Sequence, residues 1–222
     1  MTATEDQAEV SIEALRKVAP PPAIPIAPFT GPWEPLELQL RSRLLEDYKS
    51  LVRLYGLGSF LDFFFFYLPQ SRDRYVRLEA EISVVCKIFA NDESLPYPVW
   101  PNPGGLLPVG RTDNGDYIFW LTEGEPADWR VVVWDRGLIL DACETFDCDL
   151  TTFIAGVITG DIRPTAFPED LLPHEPPFTP LGAEPPTEGE PGWPASSAYG
   201  PVRLKILAPD ARADSGPASD DA

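Results

Sequence analysis

The residues best suited to chemistry lie in one run, GRTDNGDYIFWLTEGEPADW, at positions 110–129. Two aspartates flank an Asn-Gly pair, an aromatic segment follows, and a second acidic stretch closes the run. Carboxylates crowded in this way can ligate calcium, work as an acid/base pair, or shape a turn. The oxygen atoms available for any of these come from Asp113, Asp116, Glu123, Glu125 and Asp128.

A calcium site is not favoured by the spacing of these acids. An EF-hand loop needs oxygen ligands at alternate positions and a helix on either side, whereas a β-prone segment begins at Tyr117. Asn-Gly, here Asn114-Gly115, is the favoured pair for a tight hairpin turn, because both residues can take positive φ. The pattern therefore predicts a hairpin with arms at 106–110 and 116–122 and with its carboxylates pointing to solvent. No metal and no cofactor is expected.

Catalytic chemistry is not favoured either. An acid/base pair needs two carboxyls held across a cleft, one of them with a raised pKa, and nothing in the spacing selects such a pair. The single histidine, His174, lies at the start of a proline-rich tail, so no Cys-His pairing is indicated for Cys86, Cys143 or Cys148. Cys86 falls near the apolar stripe of a predicted helix and is interpreted as a packing residue. We expect a non-enzymatic binding protein.

Trp129 differs from the other tryptophans because it lies in a polar loop, GEPADWR, where a large aromatic side chain is costly to expose. It is interpreted either as a staple that covers the sheet or as an anchor for a partner. Between positions 123 and 149 the chain carries eight acids, and its only bases there are Arg130 and Arg136. An acidic surface is therefore expected here, with these partner-binding candidates: Asp113, Asp116, Glu123, Glu125, Asp128 and Trp129.

The overall charge narrows the class of partner. A formal net charge of −18 argues against binding to nucleic acid or to anionic membranes, which require basic patches, and it permits a basic protein partner, which an acidic surface would attract. Three cysteines cannot all pair within the chain, which is typical of a reducing compartment. The N-terminal stretch has no apolar signal core, and the longest apolar run, near 63–68, is too short to cross a bilayer. We expect a cytoplasmic protein with no membrane insertion.

Proline divides the chain into three predicted regions. Residues 1–35 hold a short helix, with Val10, Ala14, Leu15 and Val18 on one face, and then a proline-rich linker. Residues 36–170 form a mixed domain. Residues 171–222, rich in proline and acids, are predicted to be mostly disordered, with Val202–Leu207 able to dock as an edge strand.

The pattern within residues 36–170 predicts an α+β fold with a central, mostly antiparallel sheet flanked by helices. Its predicted elements, in chain order, are a helix at 44–55 ended by Gly56, one buried strand in SFLDFFFFYLP, and a helix capped by Ser71 with Tyr75, Leu78, Ile82, Val85 and Phe89 on one face. Strands at 117–121 and 131–134 follow, and then a helix capped by Asp149 and ended by Gly160.

Three blocks together resemble the SUKH superfamily, which includes the yeast cell-wall assembly regulator and many bacterial proteins. The blocks are DYKSLVRLYGLGSFLDFFFFYLP, LLPVGRTDNGDYIFWLTEGEPADWRVVVWDR and FDCDLTTFIAGVITG. The resemblance implies an α+β fold without catalytic residues, and a role such as that of immunity proteins that bind and neutralise a toxin. Its hallmark positions are Tyr48, Gly56, Gly110, Asp113, Gly115, Asp116, Trp120 and Trp134, most of which are interpreted as fold-defining.

Two hypotheses follow for the function. In the first, the chain is an immunity-type protein that neutralises a cognate, basic toxin domain. In the second, it is a scaffold or regulatory adaptor whose proline-rich segment at 20–35 and acidic tail at 173–222 recruit partners.

Overall fold

A computed structural model describes residues 3–93, 95–138, 141–171 and 175–181. The helices of this part of the chain are α1 (Ala3–Val18), α2 (Glu34–Leu40), α3 (Glu46–Leu54), α4 (Leu78–Phe89) and α5 (Leu150–Thr159). The strands are β1 (Gly58–Phe60), β2 (Phe64–Phe66), β3 (Leu106–Thr112), β4 (Tyr117–Leu121), β5 (Arg130–Trp134), β6 (Cys143–Phe146) and β7 (Phe178–Pro180). The predicted α+β class is confirmed.

The seven strands form one antiparallel sheet in the order β6-β5-β4-β3-β2-β1-β7. Side chains alternate across the sheet, so neighbouring residues of β4 enter different cores. Ile118 and Trp120 pack with residues of α1, α3 and α5, whereas Phe119 and Leu121 pack with residues of α4. The sheet is thus covered on both faces. None of the described helices is long and apolar enough to cross a bilayer.

The phenylalanine-rich stretch is a hairpin, and the prediction of a single strand was wrong. Leu61 and Asp62 have φ of 53° and 50°, which turns the chain back between β1 and β2. Phe60 lies opposite Phe64 in the resulting pair, and their rings stack with centroids 5.7 Å apart. The apolar run is continuous because both faces of this hairpin are buried.

The local signals at helix ends have mixed outcomes. Asp149 caps α5 by accepting the Thr152 N–H at 2.7 Å, and Gly160, at φ 80°, ends it, as predicted. Gly56 follows α3 at φ 65°, and a Cβ there would lie 2.2 Å from the Ile26 carbonyl oxygen. The predicted cap at Ser71 was wrong, because α4 begins only at Leu78.

The N-terminal segment belongs to the same core. Leu15 and Ala19 are fully buried, and the Tyr55 hydroxyl donates to the Ala19 carbonyl. The predicted buried face of α1 was partly wrong, since Val10 is 66% exposed, Ala14 is also exposed, and Ser11 is buried instead. Ser11 can be buried because its hydroxyl donates to the Ala8 carbonyl one turn earlier. The described part of the N-terminal region, residues 3–35, is therefore not a detached appendage.

The domain also extends past residue 170. Strand β7 pairs with β1 inside the region predicted to be a disordered tail. The sequence pattern did not predict β7 because of its prolines. Proline cannot donate to a ladder and is accepted only at an edge strand such as this one. His174 and Val202–Leu207 lie outside the described residues.

A buried carboxyl joins α3 to α5. Asp47 is 2% exposed, and its two oxygens accept the Tyr48 N–H at 2.7 Å and the Thr151 N–H at 3.2 Å. Burial, and secondarily the charge of Asp149, raise the pKa of Asp47 to about 7, although the N–H donors act in the opposite direction. The folded chain therefore holds a proton on Asp47 at pH values where the unfolded chain has lost it.

This proton predicts a pH-dependent stability. Between the ordinary aspartate pKa and pH 7 the folded state binds the extra proton, so this carboxyl lowers the free energy of unfolding as pH rises through that window. Asp47→Asn mimics the protonated carboxyl, and urea unfolding at pH 5 and pH 8 should show a smaller loss of stability in this variant than in the wild type. Asp128→Asn, at an exposed carboxyl, should keep the wild-type loss. Parallel profiles for the wild type and Asp47→Asn would contradict the assignment.

Candidate functional site

The central hairpin turns through a three-residue loop between β3 and β4. The Gly115 N–H donates to the Thr112 carbonyl at 3.1 Å, and the Thr112 N–H donates to the Asp116 carbonyl at 3.0 Å. Gly115 has φ 91°, but Asn114 does not have positive φ. The hairpin is confirmed, whereas the expected turn with two positive-φ residues was wrong. The loop is a type I turn followed by a glycine bulge.

Asp116 is buried, which corrects the expectation of a solvent-facing carboxylate. It is 3% exposed, and its Oδ2 accepts the Thr112 hydroxyl at 2.7 Å. Its Oδ1 accepts the Arg136 N–H at 3.1 Å. One carboxylate thus ties the β3–β4 turn to the connection between β5 and β6. These bonds make it structural, so it is not available to a partner.

Asp113 remains exposed at the tip of the same turn. Its backbone N–H donates to the Phe63 carbonyl at 2.9 Å, which anchors the turn to the β1–β2 hairpin. Partial burial raises the pKa of its carboxyl, with Arg111 acting in the opposite direction. Of the two turn aspartates, only Asp113 can contact a partner.

Glu123, Glu125 and Asp128 are exposed in the connection between β4 and β5. They lie at the opposite end of β4 from Asp113, and a strand advances about 3.4 Å per residue, so about 20 Å separates the two groups. Glu123 also forms an ion pair with Arg130. The structure therefore does not bring the five acids of the run into one site.

Trp129 is a staple, not an exposed anchor. It is 4% exposed and packs against Trp120, with ring centroids 6.0 Å apart. Tyr48 contacts the same Trp120 ring edge-on at 5.0 Å, and its hydroxyl donates to the Tyr67 carbonyl at 2.6 Å. The stack fixes the end of the sheet that carries Glu123 and Glu125.

The other hallmark positions are also structural. A Cβ on Gly110 would lie 2.5 Å from the Phe65 carbonyl oxygen, so the close approach of β2 and β3 requires glycine there. Trp134 packs on Phe89 of α4 at 4.8 Å.

The cysteine thiols are poor nucleophiles. Burial raises the pKa of Cys86 and of Cys143 to about 11, and that of Cys148 to about 12. Since the thiolate is the reactive form, these groups stay protonated at neutral pH. Within the described ranges, no group of three acidic, histidine or cysteine side chains is placed to hold a metal ion.

Charge is distributed unevenly along the chain. Residues 41–87, from the end of α2 to α4, carry eight bases and six acids, whereas residues 113–149 carry two bases and ten acids. Apart from the buried Asp116, the acids of the second range are exposed or half-buried, and we call them the acidic rim. The rim consists of Asp113, Glu123, Glu125, Asp128, Asp135, Asp141, Glu144, Asp147 and Asp149. Sequence reasoning stressed the members up to Asp128 but named none of those on β6 and its flanks as partner-binding candidates.

Comparison with known protein families finds a match. A family model described as SMI1-KNR4 cell-wall, SUKH_6, matches residues 32–154, which is more than half of the chain. The match runs from α2 to the first turns of α5 and includes the β3–β4 hairpin. No curated protein and no solved structure matches significantly.

Gly115→Val should destabilise the fold by about 2 kcal/mol, because a β-branched residue resists positive φ. The added Cβ would also lie 3.1 Å from the Arg136 side chain. Urea unfolding should show a smaller loss for Gly115→Asn, since asparagine tolerates this backbone. Asp113→Asn, at the exposed tip, should stay within about 0.5 kcal/mol of the wild type. Normal stability of Gly115→Val would refute the turn geometry.

Proposed function

The chain belongs to the SMI1-KNR4, or SUKH, family, and we propose that it is a non-enzymatic protein-binding module of the immunity type. Its partner would be a basic toxin domain, which it binds and neutralises. Membership of the family is compatible with an immunity-type or a regulatory module, and the charge of this chain favours the former.

The acidic rim is the observation that carries the proposal. Arg130 is already paired with Glu123, and the Arg136 side chain lies over Gly115 and near the Asn114 carbonyl. Both arginines of this range are thus engaged locally, and in the described part of the chain Glu123 is the one member of the rim that forms an ion pair. A surface of this kind attracts a basic protein over a distance of about 10 Å, so it raises the rate of encounter.

The two ends of strand β4, beside which the rim lies, are held by buried side chains. Asp116 fixes one end through its hydrogen bonds, and the stack of Trp120 and Trp129 fixes the other. A rigid surface loses little conformational entropy on binding, which favours tight association.

The alternative is a scaffold or regulatory adaptor that recruits partners through its flanks. One observation favours it, which is that Ile24 in the proline-rich segment is 82% exposed. Since the N-terminal segment packs into the core, only the C-terminal flank can be removed without damage to the fold.

Capture experiments at low salt, followed by calorimetry with the captured basic protein, test the proposal. Neutralising four rim acids, as Glu125→Gln, Asp128→Asn, Asp141→Asn and Asp147→Asn together, should weaken binding about tenfold or more. The matched control carries the same charge change at exposed acids elsewhere, as Glu9→Gln, Glu34→Gln, Glu169→Gln and Asp170→Asn. It should retain wild-type affinity to within about threefold.

A chain truncated after Ala183 should bind as well as the full chain and should still protect cells that express the toxin. Loss of binding on truncation would favour the adaptor. Equal weakening by the rim and control variants would exclude the rim as the binding surface. If no basic protein is captured, the immunity proposal fails.

A further inference from the structure

The two edges of the sheet differ in how open they are. Strands β6 and β7 are the outermost strands of the described sheet. Ladder bonds between Leu61 and Pro177 and between Leu181 and Leu57 leave Phe178 and Pro180 facing outward on β7. Pro180 has no N–H, so this short edge is blunted in a way that natural sheets commonly use.

Strand β6 presents an unblocked edge. The Asp135 N–H donates to the Ala142 carbonyl at 2.7 Å, which sets the alternation of the ladder. Ala142, Glu144 and Phe146 therefore face β5, and the N–H and C=O groups of Cys143 and Thr145 point away from the sheet. All four residues of β6 are half-buried, and among the described residues no strand pairs with this edge.

Side chains hold β6 extended from both faces of the sheet. On the α5 side, the Glu144 Oε2 accepts the Thr165 N–H at 2.7 Å and the Thr165 hydroxyl at 2.9 Å. On the α4 side, the Thr145 hydroxyl lies 2.9 Å from the Tyr97 hydroxyl. The strand is thus fixed in the conformation that an added strand requires, which removes an ordering cost.

The acidic side chains around β6 determine which kind of strand can pair with its free edge. Asp141 and Asp147 are exposed at the two ends of β6, and Glu144 lies between them. A second copy of the chain would place these acids opposite one another, and like charges across a strand pair are destabilising. A segment with alternating lysine or arginine side chains would place opposite charges there instead.

We infer that β6 is the docking strand for an extended basic segment of the partner protein, which adds as an eighth strand through the Cys143 and Thr145 backbone. The inference rests on the proposed function and assigns the contact within it to one edge.

Amide exchange in the ¹⁵N-labelled full chain tests this directly. In the free protein, the amides of Cys143 and Thr145 should exchange fast, and those of Glu144 and Phe146 slowly. The probe is an acetylated, amidated heptapeptide of alternating lysine and valine, and the same peptide with glutamate for lysine is the control. The basic peptide should protect Cys143 and Thr145, and the acidic peptide should not. Protection confined to amides in other parts of the chain, or equal protection by both peptides, would overturn the inference.

Thr145→Pro removes one outward N–H and leaves the inward ladder in place, so it should weaken peptide binding about tenfold. Thr145→Pro and Thr145→Val both lose the hydroxyl contact to Tyr97, but Thr145→Val keeps the outward N–H, so it should bind clearly more tightly than Thr145→Pro. If Thr145→Pro fails to fold, the exchange pattern of the wild type decides the matter. If a captured basic protein binds Thr145→Pro as tightly as the wild type, docking at the β6 edge would be refuted, but the immunity proposal would stand. Failure to capture any basic protein would refute the proposed function. The peptide test would still decide whether the β6 edge accepts a basic strand.

Discussion

The buried carboxylate of Asp116 is the interaction on which the acidic half of the sheet depends. Its two oxygens bond to Thr112 and to the Arg136 backbone, so one side chain sets the β3–β4 turn and the connection that leads to β6. A slip of one residue in this hairpin would turn Trp120 from the α3 side to the α4 side, because side chains alternate along a strand. The register, the tryptophan stack and the position of β6 are therefore one coupled arrangement.

This coupling explains how a chain with so many acids can hold them at its surface around an apolar interior. Most of the negative charge of residues 113–149 lies at strand ends and along one edge, where water solvates it, while the interior is aromatic and aliphatic. The one acid of this range taken inside is satisfied by hydrogen bonds. A folded frame with charge on its rim is suited to recognising a basic partner by complementarity.

The sequence supported predictions where a local rule decides the structure. Asp149, Gly160 and Gly56 mark helix ends through their own conformational preferences, and β4 and β5 follow from their alternating or apolar patterns. The predictions that failed concern features set by packing between segments distant in the sequence. Leu61 and Asp62 take positive φ only because the packed hairpin requires it, and β6 has no apolar alternation in CETF. Asp116 and Asp113 look alike in sequence, yet the approach of Arg136 buries the first of them.

The kinetics of association with the captured basic protein test the central claim, that the acidic rim recognises the partner, most directly. Stopped-flow rates should fall about tenfold as salt rises from about 50 to about 500 mM, with little change in the dissociation rate, because the rim acts by steering encounter. The rim-neutralised variant should show a much smaller dependence. An association rate that is insensitive to salt, or equal slopes for the wild type and this variant, would contradict the account.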